Sequence, residues 1–400
     1  MFTEACMGSK RPALIIGAGK MGRGFCAEIL ASAGCQITFV DTSEARMEQL
    51  RNAHGYTIYK ARKTYFETVS IDGYETLPLS AEGELSDLVA QRGVLIMLAI
   101  PFGQLESIAN VLALCIARKA METPDEPLDI LLCMNQIEAK RKLQSCFENT
   151  LGGAALDYLH AKVGIVETVA ICMCPELPMM LAERDPLGVL TNGYPEMPMD
   201  VTAFKGEPPR SEKIRLTDNL AAEARRKMYT FNTAYAAIGY LGAQKHYAYA
   251  TDAMADIEVH DAVHEVLRES SIGLCGEYGF TEEEMLLWNE RIMTYIDNPV
   301  LGDTIRRLGS DTPRKVGPQD RLVGAALLCM KHGGQPDTLA RVLACAYRYP
   351  TNDDTPTKLF MRFVDSEGIE TALERYSRLA LRNPLHKQVR EIYEDLEDYT

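Results

Sequence analysis

Two groups of residues in this 400-residue chain have the types and spacing that could do chemistry. The first is Gly17-Ala18-Gly19-Lys20-Met21-Gly22, a G-x-G-x-x-G turn that closes the apolar run Ala13 to Ile16 and opens a helical stretch from Met21 to Ala33. Between a strand and a helix, Gly17 permits the tight turn and Gly19 lets the backbone approach a pyrophosphate. Gly22 lets helix and strand pack closely, with the helix N-terminus facing the anion. The expected cofactor contacts are therefore Gly17, Ala18, Gly19, Lys20, Met21 and Gly22, joined by Asp41. That carboxylate ends the next strand candidate, Cys35 to Asp41, where it would accept hydrogen bonds from ribose hydroxyls and repel a 2′-phosphate. Thr42 and Ser43 follow, and the first cation is Arg46, so NAD is favoured over NADP.

The second group is Lys227-Met-Tyr-Thr-Phe-Asn232-Thr-Ala-Tyr235. On one continuous helix, five residues turn through about 140°, so Lys227 and Asn232 would flank a ligand only if it lay across the helix. Spacing alone equally describes a solvated lysine beside a packing asparagine.

The elements that must position these groups read as two halves. Residues 1–200 form an NAD-binding, Rossmann-type α/β domain with a doubly wound parallel sheet, and residues 201–400 form a mainly α-helical substrate-binding and catalytic domain. The β-α-β unit at Ala13 to Asp41 starts the sheet. Val94 to Ile100, Asp129 to Cys133, Lys162 to Ala170 and Gly188 to Thr191 are further strand candidates, while Thr57 to Leu79 reads as short strands and turns. Pro186 to Pro209 reads as irregular chain near the boundary. Helical periodicity then covers Asn219 to Leu241, Asp256 to Tyr278, Glu282 to Asp297, Arg321 to Met330 and Pro336 to Tyr349.

Composition narrows the function classes. With 46% hydrophobic and 24% charged residues the chain is expected to be ordered nearly throughout, and a net charge of −14 disfavours a nucleic-acid partner. No stretch of about 18 apolar residues is present, Met1 to Arg11 is no signal peptide, and the eleven cysteines contain no C-x-x-C pair. The expectation is a cytoplasmic protein with reduced thiols and no membrane partner. Composition says nothing of oligomeric state. His260 and His264 have the spacing of a metal pair with Glu265 adjacent, but no second cluster supplies further ligands, so no metal is expected.

The glycine turn, the K-x-x-x-x-N-x-x-[H] spacing at Lys227 and a third segment together resemble the mannitol-1-phosphate 5-dehydrogenase family of polyol-specific long-chain dehydrogenases. The third segment runs from Asn298-Pro299 through Asp303, Arg307, Asp311, Arg314-Lys315 and Asp320-Arg321-Leu322. It follows the family's N-P-x-x-x-D-x-x-x-R-V-x-R-D-x-x-R-K-L-x-x-x-D-R-L almost position for position. With Phe39-Val-Asp41 and Asn232-Thr233, the resemblance covers nearly the whole chain. It implies hydride transfer between a nicotinamide and a secondary alcohol carbon, without metal, with a lysine as general acid and base. Lys227 matches that lysine. To work near pH 7 such a group must be brought down by roughly 3 pKa units, about 4 kcal/mol, through burial or neighbouring cations such as Arg225 and Arg226. Asn232 matches the asparagine that donates to the substrate oxygen, and Asn135 stands where the family has C-E-N or C-D-N. Each amide aimed at a developing oxyanion is worth about 3–4 kcal/mol.

The departures are Tyr235 where the family has histidine, Met134 beside Asn135 in place of an acid, Ser310 in place of an arginine, and Thr168 to Cys172 in place of D-R-I-V-P. A phenol can hydrogen-bond but cannot carry an imidazolium's charge. Arg306, Arg307, Arg314, Lys315 and Arg321 outnumber Asp311 and Asp320, a local excess fit either for a sugar phosphate, with Arg307, Arg314, Lys315 and Arg321 as its ligands, or for surface ion pairs. The expected substrate is a polyol or sugar phosphate of the mannitol 1-phosphate and fructose 6-phosphate type. Another polyol or sugar-acid dehydrogenase, or a non-catalytic NAD-binding homologue, are the alternatives.

Overall fold

The apolar runs of the N-terminal half pair side by side because each is buried on both faces and can satisfy its backbone only in a covered sheet. The computed structural model describes residues 10–134, 136, 138–350 and 354–396. In chain order the first strands are β1 (Arg11–Ile16), β2 (Cys35–Asp41), β3 (Gly55–Ala61), β4 (Phe66–Asp72), β5 (Glu75–Pro78) and β6 (Leu95–Leu98). They are followed by β7 (Leu128–Leu132), β8 (Val163–Glu167), β9 (Val189–Thr191), β10 (Met197–Asp200) and β11 (Ile214–Thr217). Six of them form one parallel sheet in the order β5-β2-β1-β6-β7-β8. The order reverses at β1, with Ile16 opposite Val40 on one side and Leu98 on the other. Ligands of such sheets bind in the crevice outside the strand ends at this reversal, where Gly17 begins the glycine turn.

The helix Leu105–Glu122 carries the chain from β6 to β7, and its Ile108, Leu112 and Ile116 meet Ile96, Leu98 and Ile130 in one buried cluster. The i, i+4 spacing of these residues places them on one helix face, and each buried side chain contributes about 1.5–3 kcal/mol.

Two features depart from the sequence reading. Not all pairing is parallel: β3 and β4 form an antiparallel hairpin, with β9 added alongside β3. Pro186 to Pro209, read as irregular apart from the strand candidate Gly188 to Thr191, holds β9 at that candidate and also β10, and lies inside the N-terminal unit, because the two compact units of the chain are Met1–Leu220 and Ala221–Thr400. Backbone pairing of Met197 with the distant Ile214 makes a strand of the short, proline-bearing β10 segment that does not announce itself.

The C-terminal unit is helical. At its centre Phe231–Gln244 is buried on every side from Thr233 to Ala243, as expected of a helix apolar all round. The helices Ile257–Tyr278, Asp337–Tyr347 and the short Ile305–Gly309 pack around it. Among the described residues no helix is long and apolar enough to cross a membrane.

Candidate functional site

The glycine turn of the N-terminal unit is built by close backbone approach. Gly17 has φ +102°, and a Cβ there would stand 2.4 Å from the Ala99 carbonyl oxygen. A Cβ on Gly22 would stand 1.9 Å from the carbonyl oxygen of Gly17, so neither position accepts a side chain. Gly19, by contrast, faces open space, which leaves room for an anion beside the backbone. The helix that follows opens with a π turn, Gly22–Cys26, before Ala27–Ser32.

Asp41 is fixed by the turn it serves. Its carboxylate accepts from the backbone N–H of Ala18 (2.8 Å) and of Ser43 (2.9 Å), and the Arg46 guanidinium approaches to 3.4 Å. Of roughly four acceptor positions on a carboxylate, three are engaged, which leaves about one for a ribose hydroxyl. The cation that in sequence stands five residues away is thus folded onto Asp41 by the turn of the helix Glu44–Ala53. Lys20 is ion-paired with Glu176, and Met21 is half-buried. Arg23 was not anticipated. Its guanidinium is buried, donates to the carbonyls of Ala18 and Leu187, and is held below the usual arginine range by burial first and by Arg46 among its neighbours. It clamps the inner side of the turn, and the Tyr56 hydroxyl donates to the backbone carbonyl of Arg23 at 2.7 Å. An arginine inside a glycine-rich turn was the available signal. Asn135 lies outside the described residues.

In the C-terminal unit the reading of Asn219 to Leu241 as one helix is corrected. The chain forms two helices, Leu220–Tyr229 and Phe231–Gln244, broken at Thr230 (φ −121°, ψ −74°). Lys227 lies in the last turn of the first and Asn232 in the first turn of the second, so the 140° of a continuous helix does not apply. At the break the Thr230 hydroxyl donates to the Arg226 carbonyl at 2.6 Å, alongside the Thr230 backbone N–H at 3.1 Å, and accepts from the Trp288 indole N–H at 2.8 Å. A threonine that bonds back to its preceding turn bends a helix. Across the joint, the Asn232 amide lies 3.3 Å from the Met228 sulfur.

Arg225 and Arg226 have partners of their own. Arg225 donates to the Gln319 carbonyl at 3.0 Å and the Tyr229 hydroxyl at 3.2 Å. Arg226 pairs with Glu223 at 2.6 Å and lies over the rings of Trp288 and Phe280, 4.0 and 4.6 Å from their centroids. Tyr235 is 7% exposed, and its hydroxyl is buried without a hydrogen-bond partner among the described residues. Burial, with Asp303 adding to it and Arg307 opposing, pushes the phenol far above its usual range. It is neutral at any physiological pH and has a free donor.

The cation cluster is largely self-paired. Arg307 pairs with Asp303, Arg314 with Asp311 and at 3.6 Å with Asp320, and Arg321 with Asp320 at 2.7 Å. Lys315 differs. It is 6% exposed, donates to the Leu308 carbonyl, and its pKa falls to about 7 through burial first and then through Arg321 and Arg314. Burial and the neighbouring arginines thus leave Lys315 only partly charged near pH 7. His260 and His264 stack with ring centroids 4.7 Å apart, and among the described residues no three metal-ligating side chains gather.

A doubly wound sheet with a glycine turn at its reversal point, followed by a helical unit carrying a lysine, an asparagine and a cation cluster, defines a two-domain architecture of the dehydrogenase type. Residues 11–213 match the mannitol dehydrogenase Rossmann domain, and residues 219–396 match the mannitol dehydrogenase C-terminal domain. The chain belongs to the mannitol dehydrogenase family. Among solved structures, a D-sorbitol dehydrogenase in substrate-free form is 12% identical with TM-score 0.83, over 97% of this chain and 93% of that one. The ternary complex of Pseudomonas fluorescens mannitol 2-dehydrogenase with NAD and D-mannitol is 15% identical with TM-score 0.72, over 97% and 92%. At these identities the likeness is one of fold.

Proposed function

We propose that this protein is an NAD-dependent, metal-independent oxidoreductase that interconverts a polyol phosphate and a ketose phosphate of the mannitol 1-phosphate and fructose 6-phosphate type. Family membership supports the polyol class, and the Pseudomonas fluorescens relative in fold holds NAD and D-mannitol. The observation that carries the reading is the joint at Thr230, with Lys227 in the last turn of one helix and Asn232 in the first turn of the next.

The residues of the turn fit a dinucleotide: Gly19 opens onto free space, Gly17 and Gly22 admit no side chain, and Asp41 keeps an acceptor toward the ribose. When bound, NAD supplies the hydride acceptor. Lys227 takes the proton from the substrate hydroxyl during oxidation and returns it to the carbonyl oxygen during reduction. Asn232, with Asn135, donates to that oxygen as negative charge develops on it. Tyr235 offers its unpartnered hydroxyl to a further substrate oxygen in place of the family's histidine. Arg307, Arg314, Lys315 and Arg321 face the phosphate, with Lys315 accepting a proton as the dianion approaches.

A second reading, an unphosphorylated polyol, is favoured by one observation: three of those four cations already hold carboxylates. A panel of polyols and polyol phosphates followed by NADH absorbance separates the two. The first reading expects phosphorylated substrates to have much the higher kcat/KM. In the same assay Lys227→Ala should lower kcat by several orders of magnitude, about 10³-fold or more, with NADH affinity unchanged. Near-normal turnover by that variant would remove the lysine mechanism. No turnover of any substrate by the wild type, with ordinary NADH binding, would favour a non-catalytic cofactor-binding protein.

A further inference from the structure

Lys227 stands between two peptide groups whose carbonyls are taken by threonine hydroxyls. On its N-terminal side the Arg226 carbonyl accepts from Thr230 Oγ1. On its C-terminal side the Met228 carbonyl lies 3.2 Å from Thr233 Oγ1, which also donates to the Arg321 carbonyl at 2.8 Å. Thr230 and Thr233 are both 0% exposed. Each is tied to a distant element: Thr230 to Trp288 on the helix Glu282–Ile296, and Thr233 to Arg321 in the cation-bearing segment. The Trp288 ring also carries the Arg226 guanidinium on its face, so one side chain holds both the residue before Lys227 and the hydroxyl that breaks the helix after it.

We propose that Thr230 and Trp288 are positioning residues for the acid-base step: together they fix the helix break and hence the direction in which Lys227 leaves the backbone relative to Asn232. This rests on the reading of Lys227 given above. The physical argument is that a helix end without its break would run on. Lys227 and Asn232 would then diverge by the rotation of five helical residues, about 140°. The Thr230 hydroxyl supplements the bond its own N–H gives the Arg226 carbonyl and is the acceptor for the buried Trp288 N–H, which without it would be a desolvated donor, so it is a strong means of holding this geometry. Trp288 is the only tryptophan in the chain, and its N–H needs a partner when buried.

The test uses the full-length protein and the best substrate from the panel. Thr230→Val keeps the shape of the side chain and removes the hydroxyl, Trp288→Phe keeps a ring and removes the N–H, and Thr230→Ser restores the hydroxyl. The valine and phenylalanine variants should each lose about 10- to 100-fold in kcat, as expected of a small misplacement transmitted to the reacting groups. KM and NADH affinity should stay within about threefold, and the pH profile of kcat should move. Thr230→Ser should recover to within about threefold of wild type, and the double variant Thr230→Val with Trp288→Phe should be little worse than either single one. Wild-type kcat and pH profile in both single variants would overturn the proposal. So would losses that add fully in the double variant, or a serine variant as impaired as the valine one.

Lys227→Ala run alongside separates this failure from failure of the underlying reading. An inactive alanine variant with normal Thr230→Val overturns positioning alone, and an active alanine variant overturns the role of Lys227. Should the wild type turn over no substrate, the pH dependence of Lys227 acylation by acetic anhydride, read by peptide mass spectrometry, replaces kcat. A profile identical in wild type, Thr230→Val and Trp288→Phe then overturns the proposal, and a displaced profile restored by Thr230→Ser supports it.

Discussion

Replacing Lys315 with methionine should make the protein more stable at neutral pH and a poorer catalyst on phosphorylated substrates. Lys315 is 6% exposed, and its pKa is brought from the ordinary 10.5 to about 7 by burial and by Arg321 and Arg314. Holding the charged form in that place is therefore disfavoured by about 5 kcal/mol relative to the unfolded chain. Between about pH 7 and 10.5 the unfolded chain binds the proton that the native state has released, so stability rises with pH across this window; it is lost progressively as pH falls from about 10.5 to about 7, below which both states are protonated and the full penalty remains. From about pH 7 to 9.5 the wild type should gain about 3 kcal/mol from this residue. Methionine matches the length of the chain and carries no charge. Its gain is reduced by the Leu308 carbonyl, which loses its donor at about 1–3 kcal/mol, so a net stabilisation of about 1–3 kcal/mol at pH 7 is expected. Urea unfolding of both proteins at several pH values measures it, with the transition of the C-terminal unit followed through the fluorescence of Trp288. Kinetically, KM for a polyol phosphate should rise about tenfold or more in the variant, and in the wild type it should climb with pH above about 7 as the ammonium is lost. Parallel stability curves for wild type and variant across this pH range would refute the burial argument. An unchanged KM would remove Lys315 from the phosphate site.

Asp41 with its neighbour gives a cofactor prediction. NADH should bind much more tightly than NADPH, and Arg46→Ala, which removes the cation 3.4 Å from the carboxylate, should weaken NADPH by a further factor of about 3–10 while changing NADH little. Fluorescence titration of both cofactors measures this, and equal wild-type affinities would contradict the role given to Asp41. Tyr235 should separate stability from activity. Because its buried hydroxyl has no partner among the described residues, Tyr235→Phe should leave Tm unchanged or raise it, relieving about 1 kcal/mol. If the hydroxyl serves substrate, kcat/KM should fall about tenfold in the same variant, and Tyr235→His should restore or raise activity on mannitol 1-phosphate. A lower Tm with unchanged kcat/KM would make Tyr235 a packing residue.

What the sequence by itself determined was whatever depends on local periodicity and on residues with one physical use. The glycine turn, the parallel core strands β1, β2, β6 and β7, and the helical second half follow from apolar runs and from positions where a side chain cannot fit. Gly22 is glycine because a Cβ would strike the nearby Gly17 carbonyl, and Gly17 because its φ is +102°, with the Ala99 carbonyl beyond β6 also against it. The tertiary structure decided everything that depends on a partner far away in the chain. Strand β10, in a stretch that reads as irregular, exists because β11 supplies its hydrogen bonds. The break at Thr230 looks like helix in sequence, since Asn219 to Leu241 keeps its apolar period through it, and becomes a joint only when the Trp288 N–H arrives 58 positions away in the chain. The same holds for charge. Arg306 to Arg321 read as an excess of cations, but folding brings Asp303, Asp311 and Asp320 onto the arginines and leaves Lys315 to be neutralised by burial instead. Spacing along the chain gives the inventory of charges, whereas the dielectric around each one, which sets whether it pairs, titrates or binds, is a property of the packed structure alone.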